Sequence, residues 1–415
     1  MPMVAPAPDV FAAGGSAPLD TRHLPPVERQ AASLAVMDIS EYYGPDSGGV
    51  RTYLHEKSRY VTQHEDLRQS VVLPYDTSRV QSAAGSRVYR IRSPRIPFQD
   101  TYRVFVDRPA VASIMAHERP DVVEVGSAYG APWVSAGAAR ALGIPLVWYF
   151  HAHLPRILAP TGGASSIIRR GAARAAVRYV RAVARRADLV LAGSESVRRD
   201  LHGYGIERVD VVPLGVDTAT FHPSRRAARR ATLARLSLPD APIVLYTGRF
   251  TAEKQLDAAV RAWRQVRTPG ATLVLAGAGP RGEALRAAAG ARVRVVPFEA
   301  DRDRLADLYA AADLYLAPGP AETFGLSAHE AMAAGTPVLS VDAGAVADAV
   351  RQAECGSTWP LGDEAAMAAM VDQLLGTGGD MRAAARAYVE QHHQWATVFG
   401  RLFSIYERLR AGAYA

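Results

Sequence analysis

Asparagine is absent from the 415 residues, lysine occurs only at Lys57 and Lys254, and Cys355 is the single cysteine. One cysteine excludes an internal disulfide and a cysteine-based metal cluster. Without asparagine there is no N-glycosylation acceptor. No run of about 18 apolar residues occurs, and the best stretch, Ala131 to Phe150, is broken by Gly137, Arg140, Gly143 and Pro145. A membrane-spanning helix is therefore not expected. No basic stretch followed by a compact apolar core opens the chain, so a signal peptide is not expected either. The expected location is the cytoplasm, including the inner face of a membrane.

The net charge is +7, and almost all of its basic side is arginine. Lysine and asparagine share A-rich codons, so their scarcity reads as a GC-rich genome. A nucleic-acid footprint would be a basic patch and not a total, so no nucleic-acid partner is expected. The same bias singles out Lys254: where drift favours arginine, a lysine that survives marks a need for an ammonium.

At this length the chain can fill two cores. Residues 1–30 are rich in Pro, Ala and Gly without periodicity and read as a disordered leader. Short apolar runs then alternate with helical patterns, the α/β signature. The first series of strands is Leu34–Ile39, Ser70–Leu73, Arg87–Ile91, Val122–Val125, Leu146–Phe150, Leu189–Ala192 and Val209–Val212. The second is Ile243–Tyr246, Leu273–Leu275, Val293–Val296, Leu314–Leu316 and Val338–Val341. A boundary near Pro223 gives doubly wound domains over 31–222 and 223–390, and such sheets bind ligands at the carboxyl ends of their strands. The remaining 391–415 has helical spacing of large apolar side chains from Trp395 to Tyr406.

The most informative stretch is Pro318-Gly-Pro-Ala-Glu322-Thr-Phe-Gly-Leu-Ser-Ala-His-Glu330. Strand Leu314–Ala317 feeds a Gly/Pro loop, a helix should begin near Phe324, and Gly335 with Pro337 should end it. The free N–H groups of Phe324, Gly325 and Leu326 then face one pocket suited to a phosphate or sugar oxygen. Glu322 and Glu330 can accept hydrogen bonds from hydroxyls at two ends of one polyol ligand. That combination implies a nucleotide-sugar site. After strand Ile243–Tyr246, Gly248 permits a tight turn, and Arg249 and Lys254 supply two cations that can neutralise a departing diphosphate. In the first half, Gly48-Gly49 at a helix start allows close backbone approach to a phosphate or sugar. His151 and His153 follow strand Leu146–Phe150, and a strand-end histidine can contact a sugar.

Two patterns compete with this reading. Gly277-x-Gly279-x-x-Gly282 follows a strand and precedes a helix, as in a dinucleotide fingerprint. It follows the second strand of its domain, however, and Pro280 sits inside the turn, so an NAD oxidoreductase is the weaker alternative. Asp301-Arg-Asp303 invites a metal, yet it opens a helix and reads better as a cap. From His151 to Arg186 there are eight arginines and no acidic residue. Arg170, Arg174, Arg178, Arg181 and Arg185 share one helical face, opposite Ala172, Ala176, Val180 and Val183. Such a helix either lies on an anionic membrane or packs on the sheet with a solvated arginine face.

The Glu322-x7-Glu330 segment resembles, nearly letter for letter, the Glu-x7-Glu signature of the retaining family 4 glycosyltransferases, which have the GT-B fold. The resemblance covers residues 34 to 410. It implies two Rossmann-like doubly wound domains with an interdomain cleft, and a last helix that crosses back to the first domain. It further implies hexosyl transfer from a nucleotide diphosphate sugar with retention, without metal or cofactor. By the same resemblance, Gly48 and Gly49 face the donor, Arg249 and Lys254 hold its diphosphate, and Gly248 supplies the turn that brings them to it. Glu322 contacts the transferred sugar, and Glu330 the ribose. His151 aligns with the family's active-site histidine, with His153 as second choice. Retention of the carboxylates, Arg249 and Lys254 argues against a silent nucleotide-binding module. The loop from Asp38 to Arg51 is similar to that of bacterial GDP-mannose-dependent mannosyltransferases that glycosylate phosphoinositide or diacylglycerol lipids. Mannose is therefore the expected sugar, and a lipid or glycan the expected acceptor; a small soluble aglycone is the alternative. Val296-Pro-Phe-Glu-Ala300 lacks the glycine the family often carries after that strand, which leaves the nucleobase open.

Overall fold

A computed structural model describes residues 11, 16–21, 24, 34–44, 48–83, 86–96, 99–157, 166–377, 379 and 381–412. They fall into two compact units. One comprises the described residues of Pro8–Leu154, Ala173–Pro213 and Trp395–Ala415; the other comprises those of Pro155–Ala172 and Leu214–Gln394. Among the described residues no helix is long and apolar enough to cross a membrane.

In the first unit the strands are β1 (Ser16–Pro18), β2 (Leu34–Ile39), β3 (Leu67–Tyr75), β4 (Arg79–Ala83), β5 (Ser86–Arg92), the hairpin β6 (Arg95–Ile96) and β7 (Gln99–Arg103), β8 (Val122–Val125), β9 (Leu146–Phe150), β10 (Leu189–Ala192) and β11 (Val209–Val211). The main sheet runs β1-β4-β5-β3-β2-β8-β9-β10-β11. From β5 to β11 all its pairings are parallel, and only β4 and β1 add antiparallel edges. The parallel part has the Rossmann order, with the reversal between β2 and β8, where doubly wound sheets take their ligands. Strand β2 is buried along its whole length, Asp38 included.

The second unit holds β12 (Ile243–Arg249), β13 (Thr272–Ala278), β14 (Val293–Val296), β15 (Leu314–Ala317), β16 (Val338–Val341) and β17 (Gly356–Trp359). Its sheet is parallel throughout, in the order β14-β13-β12-β15-β16-β17. Both faces are covered. Ile243, Leu245 and Tyr315 enter one apolar cluster, while Val244, Tyr246, Leu314 and Leu316 enter another. This period-2 division of an almost wholly apolar run is the mark of a parallel strand buried on both faces. The order reverses between β12 and β15. The Lys254 turn and the Glu322 loop leave the sheet at those two strand ends.

The change of unit falls at Leu214 and not at Pro223. The intervening residues are tied to the second unit: Val216 N donates to His393 O at 2.6 Å, and the Phe221 ring meets Tyr309 edge-on at 5.6 Å. Helix Met381–His392 belongs to the second unit, and helix Trp395–Arg410 to the first. Most of the expected leader lies outside the described residues. Two described pieces of it are ordered: Ser16–Pro18 pairs with β4, and Phe11 is buried. The Phe11 ring is set edge-on against His55 at 5.1 Å.

Candidate active site

Strand β12 continues through Thr247-Gly248-Arg249, three residues beyond its apolar run. Gly248 has φ +141°, and it pairs with Gly277, where a Cβ would fall 1.9 Å from the Gly248 carbonyl oxygen. Arg249 ends the strand with its side chain exposed. A short turn, Ala252–Lys254, follows, and Gln255 at φ +56° leads into helix Leu256–Ala262. Lys254 is thus on a turn before the helix. Its ammonium pairs with Glu322, and the two side chains are 17% and 30% exposed. A Cβ on Gly319 would touch the Lys254 backbone at 3.3 Å, so the Pro318-Gly319 bend lies directly against this turn. The chain therefore joins the two residue types that its sequence proposes for one ligand: an ammonium and a carboxylate.

Helix Leu326–Ala333 starts two residues later than its sequence suggests. Gly325 caps it at φ +86°, and a Cβ there would come 2.2 Å from Val346 Cγ2. Ala328 N already bonds Gly325 O at 3.0 Å, so Leu326 and Ser327 carry the N–H groups that the helix itself leaves over. Phe324 is buried and stacks on His329 at 3.9 Å, which fixes the entry into the helix. Burial pushes the His329 imidazole down to about 4, against the bond from its Nδ1 to Gly325 O at 3.0 Å, so the ring in this stack is neutral.

Glu330 lies on the buried side of that helix. Its carboxylate accepts the Tyr309 hydroxyl at 3.1 Å, and Tyr309 Oη lies 2.5 Å from Thr247 Oγ1. Burial raises the carboxyl to about 7 against the pull of Arg302 and of the Tyr309 bond, while Asp217 adds to the rise. Arg302 stands 3.7 Å from Asp217, so a second acid–base pair flanks Glu330. Tyr309, Thr247, Arg302 and Asp217 carry no motif in the sequence. Only the rule that a buried carboxylate needs hydrogen-bond donors could have called for a hydroxyl such as Tyr309.

The three glycines of the fingerprint-like turn pack against their own domain. Gly279, at φ +150°, has the Phe250 backbone where its Cβ would stand, at 2.6 Å, and Phe250 N donates to Ala278 O at 2.8 Å. Their missing side chains admit a neighbouring loop in place of a pyrophosphate. Asp301 accepts from Asp303 N and Arg304 N at 2.9 and 3.1 Å and is the cap of helix Arg302–Ala311. Among the described residues no group of three or more His, Cys, Asp or Glu is placed to hold a metal ion.

In the first unit Gly48 precedes helix Gly49–Thr62 and accepts from Thr52 N at 3.0 Å. Among the described residues nothing lies within 4 Å of a Cβ built on it. Residues 45–47 of this loop lie outside the described residues. Its beginning is pinned by Glu41, which accepts from Phe105 N, Gly130 N, Ala131 N and Ser127 Oγ at 2.8 to 3.2 Å. His151 follows β9, half-buried, and stacks on Tyr149 at 3.9 Å. Burial, and then the Lys57 ammonium, push its imidazole down to about 3, so it is neutral near pH 7. His153 is bound at Nε2 to Asp200 at 2.8 Å in the core, which gives it a structural role.

Two parallel doubly wound sheets with these switch-point loops are the GT-B arrangement of nucleotide-sugar transferases. Across 91% of this chain and all of its own, the structure of sucrose-phosphate synthase from Thermosynechococcus elongatus superposes with a TM-score of 0.75 at 22% identity. The family model "Glycosyltransferase Family 4" matches residues 47–220, and "Glycosyl transferases group 1" matches 241–377. A GDP-mannose-dependent alpha-(1-6)-phosphatidylinositol dimannoside mannosyltransferase of Mycobacterium tuberculosis is 32% identical over 335 residues, 76% of this chain and 84% of that one. A GDP-mannose-dependent alpha-mannosyltransferase of Mycolicibacterium smegmatis is 33% identical over 384 residues, 90% of this chain and 97% of that one. The chain is a GT-B glycosyltransferase. It belongs to glycosyltransferase family 4, as the two mycobacterial relatives and the two family models show.

Proposed function

We propose that this enzyme transfers a mannosyl group, with retention and without a metal or other cofactor, from GDP-mannose to a hydroxyl of a lipid or lipid-linked glycan. The observation that carries this reading is the Lys254–Glu322 pair beside the N-terminus of helix Leu326–Ala333, with Glu330 one turn further in. The ammonium, Arg249 and the leftover N–H groups suit a diphosphate. Glu322 and Glu330 suit hydroxyls of the sugar and the ribose. In the first unit, His151 and the Gly48-Gly49 turn are the candidate contacts for a sugar or phosphate. GDP-mannose is favoured because the two mycobacterial relatives are named as dependent on it.

The lipid acceptor draws support from the helix Ser166–Ala184 and the turn after it. Arg170, Arg174, Arg178, Arg181 and Arg185 are all exposed, while Ala176, Val180 and Val183 are buried. A five-arginine face suits the anionic inner leaflet of a membrane, where each basic side chain near the surface contributes about 1 kcal/mol.

Calorimetric titration with GDP, UDP and ADP, each with and without EDTA, tests the donor. Binding of GDP alone, unchanged by EDTA, is the expected result. Binding of UDP or ADP in its place would overturn the GDP-mannose assignment, and binding of none would overturn the donor site. Co-sedimentation with anionic but not zwitterionic vesicles tests the acceptor surface.

A further inference from the structure

A fully buried charged cluster in the first unit contains none of the residues proposed to touch the donor. Lys57 is fully buried. Its ammonium donates to Asp38 at 2.7 Å, to Glu124 at 3.3 Å and to the Tyr406 hydroxyl at 3.1 Å. Glu124 Oε2 also accepts from Tyr53 Oη at 3.0 Å and from Tyr406 Oη. The other Asp38 oxygen accepts from Gln69 Nε2 at 2.6 Å, and Gln69 Oε1 accepts from Ser58 and Ser86. One network thus joins β2, β3, β5, β8, helix Gly49–Thr62 and the final helix. Burying an ion pair costs more than filling the space with apolar side chains. A compensating reason should lie close by.

It lies one ring away. Tyr53 is edge-on to Tyr149 at 5.3 Å and to His151 at 5.4 Å, and His151 stacks on Tyr149. The Tyr149 hydroxyl is fixed by the Val212 carbonyl at 2.6 Å, and the Tyr53 hydroxyl by Glu124. Both rings that hold His151 are therefore tethered at their far ends, one to backbone and one to the Lys57 cluster. Phe399, at 5.7 Å from Tyr53, and Tyr406 bring the final helix into the same support. The cluster bridges β2 and β8, the two strands between which the sheet order reverses.

We propose that Lys57 is a positioning residue for His151, acting through Glu124 and the Tyr53 ring, with Tyr406 of the final helix completing the arrangement. The proposal rests on the reading of His151 as a donor contact. One ammonium facing two carboxylates leaves one charge uncancelled, and burial first, with Asp38 adding to it, pushes Glu124 up to about 7 against the Lys57 charge. The Tyr53 and Tyr149 rings touch the His151 ring, and the Lys57 charge acts on it.

Tyr53→Phe removes one hydroxyl and keeps the ring; Lys57→Met removes the charge at similar length. In full-length protein with labelled histidine, the His151 ring signal is assigned by its loss in His151→Gln. Tyr53→Phe should displace or broaden that signal and leave those of His329 and His393 in the other unit unchanged. Turnover should fall about tenfold, the scale of one hydrogen bond to a charged group, with donor KM changed less than turnover. An unmoved His151 signal in folded Tyr53→Phe would overturn the proposal, whether or not Lys57→Met folds. If His151→Gln itself keeps full turnover, the donor-contact reading fails, while the ring signal still decides whether the cluster positions His151.

Discussion

Replacing Glu330 by glutamine isolates one proton. The folded chain raises this carboxyl from 4.5 to about 7 by burial, so the folded state holds the proton more tightly than the unfolded state. The contribution to stability is complete below the unfolded value and is lost as pH rises through about 7. At 1.36 kcal/mol per unit the loss comes to about 3 kcal/mol by pH 8. Glutamine stays neutral and keeps an oxygen for the Tyr309 hydroxyl. Between pH 5 and 8, where about 2.5 kcal/mol of this is lost, the second unit's transition in Glu330→Gln should therefore gain on that of the parent by about 5–10 °C, using 2–4 °C per kcal/mol for a domain of this size.

The same proton should appear in ligand binding. A ribose hydroxyl donates best to the ionised carboxylate, and the diphosphate diester of GDP-mannose has no proton of its own to lose in this range. Parent affinity should rise about tenfold from pH 6 to 8 as the ionised fraction grows, and stay flat in Glu330→Gln. Glu330→Ala should cost about 1–3 kcal/mol of nucleotide affinity at pH 8. Parallel melting curves for parent and Glu330→Gln would refute the claim that burial holds the proton. Diverging curves with a flat parent affinity would refute the ribose contact alone.

Gly325→Ala should destabilise the second unit by about 3 kcal/mol, because alanine resists φ +86° and its methyl would strike Val346; urea unfolding as stable as the parent would show that the cap has another geometry. Lys254→Ala should lower turnover more than tenfold while leaving the melting temperature nearly unchanged, since the pair with Glu322 is partly open to water; wild-type turnover would reduce Lys254 to a surface charge. Arg382 donates to Gly335 O and Ala312 O, both at 3.0 Å, at the carboxyl ends of two helices. Its replacement by methionine should cost about 1–3 kcal/mol in denaturant unfolding, and an unchanged midpoint would show that water replaces it without loss.

Buried parallel strands are legible because both faces are apolar. Leu34–Ile39, Val122–Val125, Leu146–Phe150, Leu189–Ala192, Val293–Val296 and Val338–Val341 stand where periodicity puts them. Strands β4 and β17 escape it because neither the largely polar Arg79–Ala83 nor the edge strand Gly356–Trp359 has an apolar run to announce it. In the site, Glu322, Glu330, Arg249 and Lys254 declare themselves by residue type beside Gly/Pro loops. The Lys254–Glu322 pairing does not, since it joins residues from two strand ends that become neighbours only once β12 lies beside β15. Tyr309 is equally silent in sequence. A tyrosine on an amphipathic helix is an ordinary core residue until the carboxylate it serves is placed above it.

The two lysines show how composition and structure constrain each other. A chain with 48 basic residues and only two lysines has had ample occasion to replace both by arginine. Both remaining ammoniums face carboxylates in confined space: Lys57 has no exposed surface, and Lys254 has a glycine bend against its backbone and side chain. A guanidinium presents five donors in a rigid plane, whereas an ammonium is a compact charge with three. At Lys57 those three donors have three partners, Asp38, Glu124 and Tyr406, so a fork would leave donors over and need more room. The sequence alone drew attention to Lys254. Lys57 meets that need more fully, with three donors matched to three acceptors and no exposed surface.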